Sequence, residues 1–64
     1  MNIEADGIEA VNILGATGVV VKSYKFEKEG LVTIDISDMP NSIYVLEIVT
    51  RDGRCVRRIT KTSY

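Results

Sequence analysis

Few side chains in this chain could do chemistry, and most of them stand near its C-terminal end. Cys55 lies in Arg54-Cys55-Val56-Arg57, and a thiol among cations is the usual setting of a reactive cysteine. There is no histidine, however, so the commonest general base and the commonest transition-metal ligand are both missing. Alone, Cys55 can hold neither zinc nor an internal disulfide, and it reads as a small apolar filler in a strand. Asp35 and Asp38 stand close enough in sequence to share a calcium ion with backbone carbonyls, yet no Asp-rich loop of ligand spacing surrounds them. Asp38 is expected instead to cap a corner by accepting from nearby N–H groups, with Asp35 on the wet face of a strand. Gly15-Ala16-Thr17-Gly18 is too short to cradle a phosphate and leads into a strand, not a helix. No catalytic residue, cofactor-binding residue or metal ligand is therefore assigned.

Charge is the remaining chemical signal. Residues 1–50 carry three lysines against eight acids, net −5, whereas residues 51–64 carry Arg51, Arg54, Arg57, Arg58 and Lys61 against Asp52, net +4. A basic tail on an acidic body could meet nucleic acid, with binding that falls steeply with salt. No aromatic residues interleave with these cations to stack bases, so we read them as decorating an edge strand, where charge discourages sheet-to-sheet aggregation, and expect no nucleic-acid partner.

The elements that must carry these residues are strands. Val32, Ile34 and Ile36 alternate with Thr33 and Asp35, which makes one pleated face apolar and the other polar. Ser37-Asp38-Met39-Pro40-Asn41-Ser42 interrupts the ladder, because proline has no N–H to donate. About five strands are expected: Ile8–Leu14, Val19–Phe26, Leu31–Ile36, Ile43–Thr50 and Arg54–Lys61. Val11 and Ile13 face the core in the first, with Asn12 opposite; Tyr44, Leu46 and Ile48 do so in the fourth, with Glu47 opposite. Gly15–Gly18 and the charged Glu27-Lys28-Glu29-Gly30 are read as reversals, and Asp52-Gly53 as a two-residue hairpin turn. Val56 and Ile59 are an odd number apart, which calls for a bulge near Arg57-Arg58 or a partly inserted edge strand. Met1–Glu4 reads as the remnant of a further strand.

At 64 residues the chain is one small domain, 1–64, and its core must come from Val, Ile and Leu. The longest aliphatic run, Val19-Val20-Val21, is far too short to span a membrane, and no transmembrane segment is expected. The acidic N-terminus does not read as a secretory signal. The fold class expected is all-β: a small antiparallel immunoglobulin-like β-sandwich.

Val11-Asn-Ile-Leu-Gly-Ala-Thr-Gly-Val-Val-Val-Lys22, then Ile34-Asp-Ile-Ser-Asp-Met-Pro40, then Ile43-Tyr-Val-Leu-Glu-Ile48, resembles the C-terminal sorting domain of proteins exported by the type IX secretion system of Bacteroidetes. That family shows V-x-I-Y-x-x-x-G, a strand ending D-L-S-x-L-P-x-G, I-Y-x-L-x-V, a D-G turn and a terminal strand rich in Lys and Arg. Here Leu14 stands where the family has an aromatic residue, Ser42 replaces the glycine before Ile43-Tyr44, and the opening strand with its Asn-Pro motif is missing.

The resemblance implies a non-catalytic C-terminal module of a longer protein that is secreted or held at the cell surface, with secretion-machinery proteins as partners and no cofactor. Asp52, Gly53, Arg54, Arg57, Arg58 and Lys61 are the residues expected to be recognised, because a hairpin edge offers backbone pairing groups and a charge pattern together. Loss of an edge partner makes a homodimer by strand pairing or exchange plausible. The alternative reading is an Ig-like accessory or adhesion domain that uses exposed Tyr24, Phe26 or Tyr64 to contact carbohydrate or protein.

Overall fold

The computed structural model describes residues 1–62, and every regular element in it is a strand: β1 (Asn2–Leu14), β2 (Val20–Thr33), β3 (Ser42–Thr50) and β4 (Gly53–Lys61). All pairings are antiparallel and the order is β2-β1-β3-β4, which leaves β2 and β4 as edges. The all-β antiparallel class follows from the alternation in the sequence. In place of about five strands in an immunoglobulin-like sandwich, however, there are four in one continuous sheet.

Two of the expected strands are one. β2 runs through Glu27–Gly30, where a reversal between separate strands was expected. The charged segment bends the strand without turning it back: Lys28 has φ +56°, and five residues of β2 (Lys25 to Glu29) oppose three of β1 (Ala10 to Ile8). β1 bends beside it at Gly7, φ +65°, where Glu4 to Ile8 oppose only Leu31 to Glu29. Met1–Glu4 is thus no remnant of another strand but leads into and opens β1. Matching irregularities in neighbouring strands make a corner.

The corner is what gives a single sheet an inside. Pairing of β1 with β3 starts at Ile8, and a straight β1 would carry Ile3 roughly 16 Å past that point at about 3.3 Å per residue. Instead Ile3, Val32 and Ile34 share one buried cluster with Ile8, Val11, Ile13, Met39, Tyr44, Leu46 and Ile48, so the N-terminal arm of β1 and the end of β2 fold across the inner face. Ile8, Val11 and Ile13 are fully enclosed, and no described polar or charged residue is buried. Met1 and Ile34 close the arm by exchanging hydrogen bonds: the ammonium donates to the Ile34 carbonyl and the Ile34 N–H to the Met1 carbonyl, both at 2.8 Å.

The faces follow the pleat as the sequence predicts. Val11 and Ile13 point inward with Tyr44, Leu46 and Ile48, while Asn12 and Glu47 point outward as a pair. Val32, Ile34 and Ile36 alternate inward, although the last two lie beyond the end of β2. At Pro40 the chain turns into β3, and the Tyr44 hydroxyl fastens the corner by donating to the Pro40 carbonyl at 2.5 Å.

Candidate functional site

The cationic hairpin named by the sequence is β3–β4, with β4 at the sheet edge. Its register runs unbroken from Ser42↔Lys61 to Thr50↔Gly53, so no bulge lies near Arg57-Arg58. Val56 and Ile59 are reconciled by facing opposite ways: Val56 is 65% exposed on the outer face, and Ile59 packs against the core from the inner one. The turn itself differs from expectation by one position. Arg51 and Asp52 are the turn residues, and Gly53, at φ +137°, already pairs with Thr50. The reason is tertiary: the Arg51 N–H is taken up by the Gly7 carbonyl (3.1 Å), which ties it to the corner of β1. Asp52 N–H then donates to Thr50 Oγ1 (3.2 Å).

The pleat splits the cations between two faces. Arg54 and Arg58 oppose Val49 and Val45 outward; Arg57 and Lys61 oppose Leu46 and Ser42 on the side of the core. Arg54 is held, its Nη1 donating to Glu47 Oε2 at 3.2 Å. Among the described residues Arg57, Arg58 and Lys61 have no ion-pair partner, and Arg57 and Arg58 are exposed. Asp52 is exposed too, 3.9 Å from Arg51 Nε. The six residues therefore line one edge without converging on a point, which suits contact along a strand and not a small-molecule site.

Glu47 belongs to an arrangement that sequence reading missed. Ser23 Oγ donates to Asn12 Oδ1 (2.7 Å), Asn12 Nδ2 donates to Glu47 Oε1 (2.9 Å), and Arg54 completes a chain across all four strands of the outer face. The available signal was that Asn12 and Glu47 each interrupt an aliphatic run at an outward position.

Both acids of the corner are exposed, Asp35 as expected, but the local cap is not made by the acid expected to make it. Asp35, not Asp38, caps locally by accepting from the Ser37 N–H (2.9 Å), and these Ser37 hydrogen bonds, side chain first, hold its carboxyl below the ordinary range. Asp38 instead accepts from Lys22 Nζ at 2.7 Å, which lowers the Asp38 pKa and raises that of Lys22. Cys55 is free and exposed in β4, not an interior filler, because nothing roofs the edge strand at that position. Tyr24 and Phe26 stack at 6.4 Å but are half-buried against the core, and Tyr64 lies outside the described residues. Among the described residues no group of three or more His, Cys, Asp or Glu could hold a metal, and no helix is long and apolar enough to cross a membrane.

The described residues thus form a small all-β module with exposed cations along its β4 edge. The model of one family, described as the secretion system C-terminal sorting domain, matches residues 1–62, and the chain belongs to that family. It is thus a sorting signal of the type IX secretion system, a kind of tail carried by secreted and cell-surface proteins. No curated protein and no solved structure matches it.

Proposed function

We propose that the export machinery recognises this module along β4 and its turn, through Asp52, Gly53, Arg54, Arg57, Arg58 and Lys61, and that the module itself is non-catalytic and ends a longer exported protein. The observation that carries this reading is a sheet edge at β4 with exposed Arg57 and Arg58 on it, neither of which has an ion-pair partner among the described residues. An edge supplies backbone groups for strand addition, and cations placed on both faces select the partner by charge. Like charges along β4 oppose its pairing with a second β4, so the favoured partner is a different polypeptide and not a second copy.

The test is a fusion. A reporter carrying this chain, expressed in a type IX-competent host, should reach the outside of the cell, and one truncated after Val49 should not. In the intact hairpin, Arg57→Glu with Arg58→Glu and Lys61→Glu should lower export by about tenfold. Equal export of all forms would overturn the assignment.

A further inference from the structure

The hairpin end between β1 and β2 is apolar where turns are usually polar. Residues 11–21 carry no charge, the longest such run in the chain. The turn is closed by its own backbone: the Gly18 N–H donates to the Gly15 carbonyl at 2.9 Å and the Gly15 N–H to the Val19 carbonyl at 2.8 Å. Val21 is the extra residue of a bulge between the Ile13↔Lys22 and Leu14↔Val20 pairs. Val19, Val20 and Val21 are each at least half exposed, and Ile43 nearly so. Ile43 belongs to the same end of the sheet: it lies two residues before Val45 on the outer face, and Leu14 pairs with Val45 on one side and with Val20 on the other. These side chains make one exposed aliphatic patch, of the kind that marks an interaction surface.

Cations stand beside the patch, and the acids of that end are engaged. Arg58 opposes Val45 on the outer face and Lys61 opposes Ser42 beyond it; neither has an ion-pair partner among the described residues. Asp38 is held by Lys22 at 2.7 Å, and Asp35 accepts from the Ser37 N–H. We propose that this end of the sheet docks on an anionic lipid surface, with Val19, Val20, Val21 and Ile43 entering the headgroup boundary and Arg58 and Lys61 lying against the lipid phosphates. Because the turn backbone is hydrogen-bonded to itself, it approaches an apolar phase without leaving those groups unsatisfied. An uncharged centre with free cations beside it is the arrangement in which apolar burial and attraction to anionic headgroups add. A second copy seated on the same patch would instead bring like cations together. The inference does not depend on recognition along β4.

The full chain should co-sediment in low salt with vesicles of equal parts phosphatidylcholine and phosphatidylglycerol, and only weakly with phosphatidylcholine alone. Salt at about 0.5 M should remove most of that difference. Arg58→Gln and Lys61→Gln should each weaken binding to the anionic vesicles about fivefold. Val20→Ser with Val21→Ser should weaken it by about tenfold or more, whereas Leu31→Ser, at an equally exposed site beyond the corner, should change nothing. Each replaced residue lies outside the buried core, and unchanged circular dichroism checks that the variants fold. In bicelles of the same lipids, a nitroxide-labelled lipid should broaden the amide resonances of residues 15–21 and Ile43 before any others. No binding to anionic vesicles in low salt, binding that survives the double valine change, or broadening centred elsewhere would overturn the proposal. So would self-association, in place of lipid binding, that the same valine changes abolish. The two readings fail separately. Export that depends on β4 with no vesicle binding removes the lipid surface alone, whereas vesicle binding with unaltered export of the β4 variants removes the recognition strand alone.

Discussion

Tyr44 does two jobs at one position. Its ring is buried in the core cluster, and its hydroxyl holds the Pro40 carbonyl at the entrance to β3. Removing the hydroxyl keeps the packing and leaves that carbonyl without its donor. Tyr44→Phe should therefore destabilise the domain by about 1 kcal/mol, read as a shift of the urea midpoint at unchanged slope. Asp38 and Asp35 make a second residue-scale case, in which pH is the variable. Both carboxyls are held below the ordinary 3.8, so what they contribute is present above that value and lost as pH falls through the lowered ones. Lys22 is raised above 10.5, and its share is present below that value and lost above it. Urea midpoints measured from neutral to acid pH should fall less steeply for Asp38→Asn than for the parent.

At the scale of elements, the corner shared by β1 and β2 decides the architecture. Gly7 sits at φ +65° with a would-be Cβ 3.0 Å from Arg51 Cγ, so Gly7→Ala meets both an unfavourable backbone region and a neighbour. A loss of roughly 1–2 kcal/mol is expected from the left-handed conformation. Lys28 occupies the same kind of backbone, φ +56°, without the freedom of glycine. Lys28→Gly should be neutral or stabilising by up to about 1 kcal/mol, opposite in sign to Gly7→Ala, and thermal melts of the two variants side by side check the pair. Neither position is betrayed by local pattern: Glu27–Gly30 has the composition of a turn, and Ala5–Gly7 looks like nothing in particular. The bend exists because two long strands must carry apolar residues over a face they would otherwise leave behind.

For the whole molecule, stability is narrow. A chain of this size encloses few side chains completely, and Ile8, Val11, Ile13 and Ile34 carry most of that enclosure. Ile13→Ala should cost about 2–5 kcal/mol, comparable to the entire stability of so small a domain, and circular dichroism at 37 °C should show it largely unfolded. Val56→Ala, at a site 65% exposed, should remain within about 0.5 kcal/mol of the parent. The same smallness fits the proposed recognition along a strand edge: a folded single sheet has free strand margins before it has a large interior.

The sequence by itself determined the all-β class, the inward faces and the family, because alternation along a chain is a local property and a face is chosen by every second residue. Val32-Ile34-Ile36, Tyr44-Leu46-Ile48 and the basic terminal strand were all legible for that reason. Tertiary structure alone decided that β2 continues through Glu27–Gly30, that the hairpin turns at Arg51-Asp52, that Asp38 answers to Lys22 and that Cys55 lies exposed. Each of these depends on which distant segment arrives as a neighbour, and the Gly7 corner, by folding one arm of the sheet over the other, is what brings those neighbours together.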